Sequence, residues 1–488
     1  MHIYRHSMRV GLGCPVLESG FLGFVCLIAA ICLLAWIAAI THLAQEFMAP
    51  VWLARSQQAI RNRSVERVIK SARRTISKLE LMDQPSLDRA WTQPSSHWRS
   101  KAQVWGCCRR WTRLPLQLKT VTIAFLLCSL AAATATSQTL MPEEVEASQK
   151  NQFDQMDRYF DRQVEEANQQ REKAWQRDFS SIEAYERSVE PWRQKLLEML
   201  GGDVYPRSPL KPKEERVAEF TTHTAWRVWF TAFENVRGYG ILLVPTGTGP
   251  FPALICIHGM GGTPEGVCGL TAQPDYHNRF GLQAVQRGYV VFAPVNMNSG
   301  KKRSWLDRKA IMTGQRLQAL EQVKLIRLVD YLAQRPDVGP GRIGAYGISW
   351  GGRSVMNLAA LDRRIAACAI SGHFNDLIHK MLVPSPNYTA FIETDEDYAF
   401  FWKQAALFNE ADVVSLICPR PVFIEQGRKD RVAYWEMSQR AFKPVKEVYE
   451  KLGIGERAVY SIFEGGHEVH GVEAFQFFDS WLKPQPIR

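Results

Sequence analysis

From Val217 onward the chain alternates short, continuously apolar runs with stretches of helical period, and this alternation restricts the possible folds more than any other feature. Val217–Thr222, Trp226–Phe233, Gly240–Val244, Ala253–Ile257 (ALICI), Gly288–Val295 (GYVVFAPV), Arg342–Ile348, Ile365–Ser371, Pro421–Glu425 and Ala458–Phe463 read as strands. Helices are expected at His277–Arg287, Ala310–Ala333, Ser349–Leu361, Trp435–Leu452 and Val472–Trp481. Strands without a polar face have to be buried on both sides, so a mostly parallel sheet wound with helices is expected. In such sheets ligands bind beyond the C-terminal ends of the strands. Those loops are therefore where chemistry is expected.

The 488 residues carry a formal net charge of +11. The first 140 hold 17 Lys and Arg against 6 Asp and Glu, while the remainder is balanced at 43 to 43. The excess belongs to the N-terminal segment, so charge gives no support to a nucleic-acid surface on the main body. Six of the ten cysteines precede residue 140. No CxxC pair or Cys/His ligand spacing occurs, which argues against a zinc site or a disulfide framework. Stability must come from a packed core.

Phe21–Ile40 is a twenty-residue run without a charge, long enough to span about 30 Å of hydrocarbon. A basic stretch, Thr41–Lys119, follows it. Val121–Ala133 then has a basic flank, about a dozen apolar residues and a small-x-small site at Ala133-Thr134-Ala135, the parts of an export signal. Either the true start lies near residue 114, or residues 21–40 are an anchor followed by a cytoplasmic basic loop. Both accounts export the body across the cytoplasmic membrane, to the periplasm or beyond. The expected organisation is a basic extension at 1–113, a signal-like segment at 114–136, a helical lead-in at 137–213 and a main domain at 214–488. Membrane contact is expected only through the N-terminal apolar segments.

Between a predicted strand and a predicted helix lies Gly347-Ile348-Ser349-Trp350-Gly351-Gly352, a G-x-S-x-G turn whose glycines let a serine oxygen stand exposed. A serine hydroxyl needs a base, and the base needs an orienting carboxylate. The loop after Pro421–Glu425 offers Asp430, with Glu425 as its rival inside the strand. The loop after Ala458–Phe463 offers His467 directly behind two glycines, with His470 one helical turn later. Two N–H donors for an oxyanion are also required. Trp350 supplies one. The turn His258-Gly259-Met260-Gly261-Gly262 supplies the other, from Met260 or alternatively Gly261, and His258 is expected to bond within its own loop.

Those four elements in that order resemble the α/β-hydrolase family, in its dienelactone hydrolase and acetyl xylan esterase-like branch, over about residues 190–485. The resemblance rests on Ser349 in GISWGG, Asp430 in GRKDRV, His467 in EGGHEVHG and the HGMGG turn. It implies an α/β-hydrolase fold of about eight strands, no metal, no cofactor, and a small cap at about 372–418. True dienelactone hydrolases use a cysteine nucleophile, so serine here favours ester hydrolysis. The expected activity is an exported serine esterase acting on small-molecule or carbohydrate esters. A serine peptidase of the same fold and a catalytically silent binding protein are the alternatives. Arg353 stands at a spacing similar to that of a basic residue in glucuronoyl esterases, which suits an acidic sugar; its plainer reading is a solvated helix residue. The aromatics of the cap, Trp402 among them, either line a substrate pocket or pack the lid onto the core.

Overall fold

The computed structural model describes residues 142–202, 208–272, 275–297 and 300–483. Both apolar N-terminal runs, the basic stretch between them and the small-x-small site lie outside the described residues. Among the described residues no helix is long and apolar enough to cross a membrane. The four cysteines Cys256, Cys268, Cys368 and Cys418 are free and buried.

Nine strands form one sheet in the order β1-β2-β3-β5-β4-β6-β7-β8-β9. They are β1 (Lys213–Glu219), β2 (His223–Phe233), β3 (Val236–Pro245), β4 (Phe251–Ile257), β5 (Val290–Pro294), β6 (Val338–Ile348), β7 (Ile365–Ser371), β8 (Val422–Gly427) and β9 (Ala458–Phe463). Among the described residues the count is nine, the number read from the apolar runs, where the family resemblance implied about eight. β1, β2 and β3 form an antiparallel edge joined to β5, and β5 through β9 run parallel. This is the α/β-hydrolase architecture.

The period of two is visible in the core. On β4, Ala253, Ile255 and Ile257 pack with the layer holding the helices Leu317–Ala333, Trp350–Leu361 and Trp435–Lys451. Leu254 and Cys256 point to the other layer, built on Phe280–Gln286 and Val472–Leu482. Alternate side chains of a strand face opposite sides, and here both sides are dry, which is why the run contains no polar residue. The lead-in consists of two helices, Pro142–Ala174 and Ile182–Met199. Trp175 stacks on Trp192 at 4.3 Å, and both meet Phe408 edge-on, so the lead-in is seated on the body.

The single helix expected over Ala310–Ala333 is in fact two, Gly300–Ile311 and Leu317–Ala333. The break contains Gly314 at φ +76°; Arg316 pairs in bidentate fashion with Asp307, whose Oδ1 also accepts from the Leu317 amide at 2.9 Å and so caps the second helix. Apolar Ile311 and Met312 carry the helical pattern across the break, and this hides it from a reading by period.

Candidate active site

Each predicted catalytic residue lies just past the C-terminal end of a parallel strand: Met260 after β4, Ser349 after β6, Asp430 after β8 and His467 after β9. The turn at Ser349 is the tightest. Its backbone sits at φ 57°, ψ −126°, a region that non-glycine residues rarely occupy. Such a bend requires bare neighbours. A Cβ on Gly351 would overlap the Ile257 carbonyl oxygen, and one on Gly347 would overlap the Gly351 carbonyl. The Ser349 amide donates to the Ser371 carbonyl at 2.9 Å, tying the turn to the end of β7.

His467 Nδ1 lies 2.8 Å from Asp430 Oδ2. A carboxylate oxygen only accepts, so Nδ1 carries the hydrogen and Nε2 of the neutral ring keeps its lone pair. Asp430 is buried, and its other oxygen accepts from the amides of Val432 (2.7 Å) and Ala433 (3.1 Å). Gln426 Nε2 adds a bond to Oδ2 at 3.2 Å. Gly372, at φ +54°, leaves the space these groups need: a Cβ there would stand 3.2 Å from both Asp430 Oδ2 and His467 Nδ1. Among the described residues the Ser349 hydroxyl has no hydrogen-bond partner. It and His467 border one cavity of about 310 Å³, whose wall also includes Met260, Tyr276, Trp350, His373 and Lys380.

The rival residues occupy other positions. Glu425 is buried and accepts from Tyr346 and Ser371 hydroxyls, both at 2.9 Å, and from the amides of His470 (3.1 Å) and Gly471 (2.9 Å). Burial raises its pKa. Its role is to join β6, β7 and the His467 loop. The His470 ring stacks on Phe463 at 4.7 Å.

The turn after β4 is held at both ends of one residue. The Gly259 amide donates to His277 Nε2 at 2.9 Å, and the Gly259 carbonyl accepts from His258 Nδ1 at 2.9 Å. His258 Nε2 in turn accepts from the Asn296 amide, so the ring is fixed as one neutral tautomer. Burial pushes its pKa down to about 4. With that carbonyl pinned, the Met260 N–H of the same peptide is pinned as well, directed to the opposite side. Among the described residues neither the Met260 nor the Trp350 amide donates to an acceptor. Tyr276 connects the two halves of the site: its hydroxyl donates to the Met260 carbonyl at 2.7 Å, and its ring stacks on His467 at 5.6 Å.

Arg353 and Trp402 do not border the cavity. Arg353 is buried behind Trp350 rather than solvated, its Nη2 donating to the Ala399 carbonyl at 3.1 Å and its guanidinium over the Trp350 and Phe401 rings. Burial lowers its pKa to about 10. Trp402 is 81% exposed, on a separate surface with Phe160 and Lys403. Most of the other aromatics between β7 and β8, Phe374, Tyr398 and Phe401 among them, are buried in apolar clusters. Phe391 alone of the aromatic cluster borders the cavity.

Residues 239–397, from β3 into the segment that follows β7, match the model of the dienelactone hydrolase family. The matched region resembles a dienelactone hydrolase family domain; Ser349 lies inside it, and Asp430 and His467 lie beyond it. The provisionally named hydrolase YtaP of Bacillus subtilis (strain 168) is 28% identical over 303 residues, covering 59% of this chain and 99% of that protein. The fold is also similar to a glucuronoyl esterase from Solibacter usitatus (16% identity, TM-score 0.47, covering 60% of this chain and 92% of that one). An acetyl xylan esterase from Paenibacillus sp. R4 gives 15% identity and a TM-score of 0.44, covering 63% and 98%.

Tyr276, His277, Gly372, Gln426 and Lys380 were not singled out from the sequence. The glycine beside the strand end Ser371 carries a local signal, since a strand-end glycine often marks a close approach. Gln426 acts within its own loop on Asp430, and Tyr276, His277 and Lys380 leave no local pattern.

Proposed function

We propose that this protein is a serine esterase in which Ser349, His467 and Asp430 act as a triad. The observation that carries the reading is the 2.8 Å contact from His467 Nδ1 to a buried, three-fold supported Asp430, on the same cavity as a serine held in a strained turn. His467 Nε2 takes the Ser349 proton as Oγ adds to the ester carbonyl, and the Met260 and Trp350 amides hold the oxyanion. The tetrahedral adduct expels the alcohol, which receives the proton from His467. Water, deprotonated by the same nitrogen, then attacks the acyl-enzyme and releases the acid, restoring Ser349. The chemistry is that of small-molecule or carbohydrate esters, and the groove of about 850 Å³ that shares Met260 and Glu396 with the cavity gives the alcohol an exit. In this reading residues 214–488 are the catalytic domain and about 372–418 its cap.

Purified protein should turn over short p-nitrophenyl esters and take up a fluorophosphonate at Ser349. Ser349→Ala should lower kcat at least about 10³-fold with little change in the unfolding midpoint. Folded protein with an unlabelled Ser349 overturns the proposal. We further propose export through residues 114–136, supported by their basic–apolar–small pattern. N-terminal sequencing should find the mature chain beginning soon after Ala135; a soluble product that retains Met1 argues against it.

A further inference from the structure

One charged group on the cavity wall has no place in the triad chemistry. Lys380, on the helix Leu377–Leu382, borders the same cavity as Ser349 and His467 and is only 3% exposed. Its ammonium donates to the Thr389 carbonyl at 2.7 Å and lies between two ring faces, 5.2 Å from the Phe391 centroid and 5.5 Å from that of Tyr388. Among the described residues no carboxylate comes within 4.0 Å of it, whereas other largely buried cations, Lys324, Arg316 and Arg327, each have one.

An ammonium has three donors, and one carbonyl uses one of them. Withdrawing a cation from water without an ionic partner is costly. Burial accordingly pushes the Lys380 pKa down to about 8, against the more distant fields of Asp430, Glu410 and Glu396. Of the three, Glu396 borders the cavity and gives one oxygen to the Tyr398 hydroxyl at 2.6 Å. Glu410 faces away, its oxygens near His373 and the Asn375 amide, and Asp430 is committed to His467. None of them satisfies the lysine. If its only task were to hold Thr389, a neutral donor would serve without the cost of a buried charge.

We propose that Lys380 forms an anion subsite that selects esters whose acyl chain carries a terminal carboxylate, an inference that rests on the esterase reading. The acyl half enters the 310 Å³ cavity under the cap, and its carboxylate meets the ammonium in surroundings where a charge-assisted bond is strong. The alcohol half lies toward the open groove bordered by Met260, Trp305 and Glu396.

The test compares p-nitrophenyl hydrogen adipate with its neutral counterpart, p-nitrophenyl methyl adipate, on the full-length protein. The wild-type ratio of kcat/KM, acid over methyl ester, should be at least about tenfold, the value of one charge-assisted bond. In Lys380→Met the ratio should fall to about one or below. Fluorophosphonate labelling of Ser349 in the variant checks that the site is assembled. A wild-type ratio of one or less overturns the inference without any variant, and so does an unchanged ratio in a labelled Lys380→Met protein. If neither ester is cleaved and Ser349 is not labelled, the esterase reading itself has failed. If the methyl ester is cleaved without a preference for the acid, only the subsite has.

Discussion

Asp430 uses both of its oxygens: one orients His467, and the other is anchored by two backbone amides. Asp430→Asn keeps the volume but can present an NH₂ to Nδ1, forcing the proton onto the wrong nitrogen. This change should lower kcat by about 10³–10⁴-fold with KM little altered, read from steady-state kinetics on a neutral ester. Gly372 sets a second limit on the same pair. Gly372→Ala places a methyl 3.2 Å from both partners at a backbone angle alanine rarely adopts, so kcat should drop at least about tenfold, checked beside the unfolding midpoint. At this scale the sequence was readable where the chemistry depends on residue type within one loop. Ser349 in its glycine turn and His467 behind two glycines became candidates that way. Arg353 could not, because one helical residue looks the same whether its face meets water or the cap. Lys380 was missed for the same reason.

The strands were legible as elements because dry strands leave an uninterrupted apolar run, and Ile365–Ser371 and Ala458–Phe463 have the bounds expected of them. The antiparallel edge was legible only in part, since β1 (KEERVAE) is exposed and mostly polar, and its expected start at Val217 came four residues late. Glu425 explains how the elements are locked together: from β8 it holds Tyr346 of β6, Ser371 of β7 and the amides leading into Val472–Leu482. Removing it leaves four donors, three of them buried, without their acceptor. Glu425→Ala should therefore destabilise the fold by roughly 3–5 kcal/mol, seen as a shift in the urea midpoint, with lost activity following lost structure. The same measurement separates its role from that of Asp430, whose substitution should cost rate rather than stability.

For the molecule as a whole, buried neutral histidines make stability depend on acid. His258 keeps a folded pKa of about 4, below the roughly 6.5 of an unfolded chain, so the unfolded state takes up the proton first. Its contribution is complete above about pH 6.5 and is lost as the pH falls toward 4, a change on the order of 3 kcal/mol. His277 and His223, also lowered by burial, act in the same direction. Urea unfolding from pH 7 to 4.5 should show the decline, and the stability gap between wild type and His258→Asn should narrow across that window. A gap that stays constant would mean His258 is not held neutral. The sequence by itself determined the winding of the sheet, the order of the candidate triad and the turn that carries Ser349, because these follow from local residue type and chain order. Only the tertiary structure decided which carboxylate meets the imidazole, that Arg353 is buried, and that Lys380 and Tyr276 stand on the cavity wall. Those outcomes depend on contacts between residues tens to hundreds of positions apart, where packing assigns each side chain its surroundings and no periodicity records them.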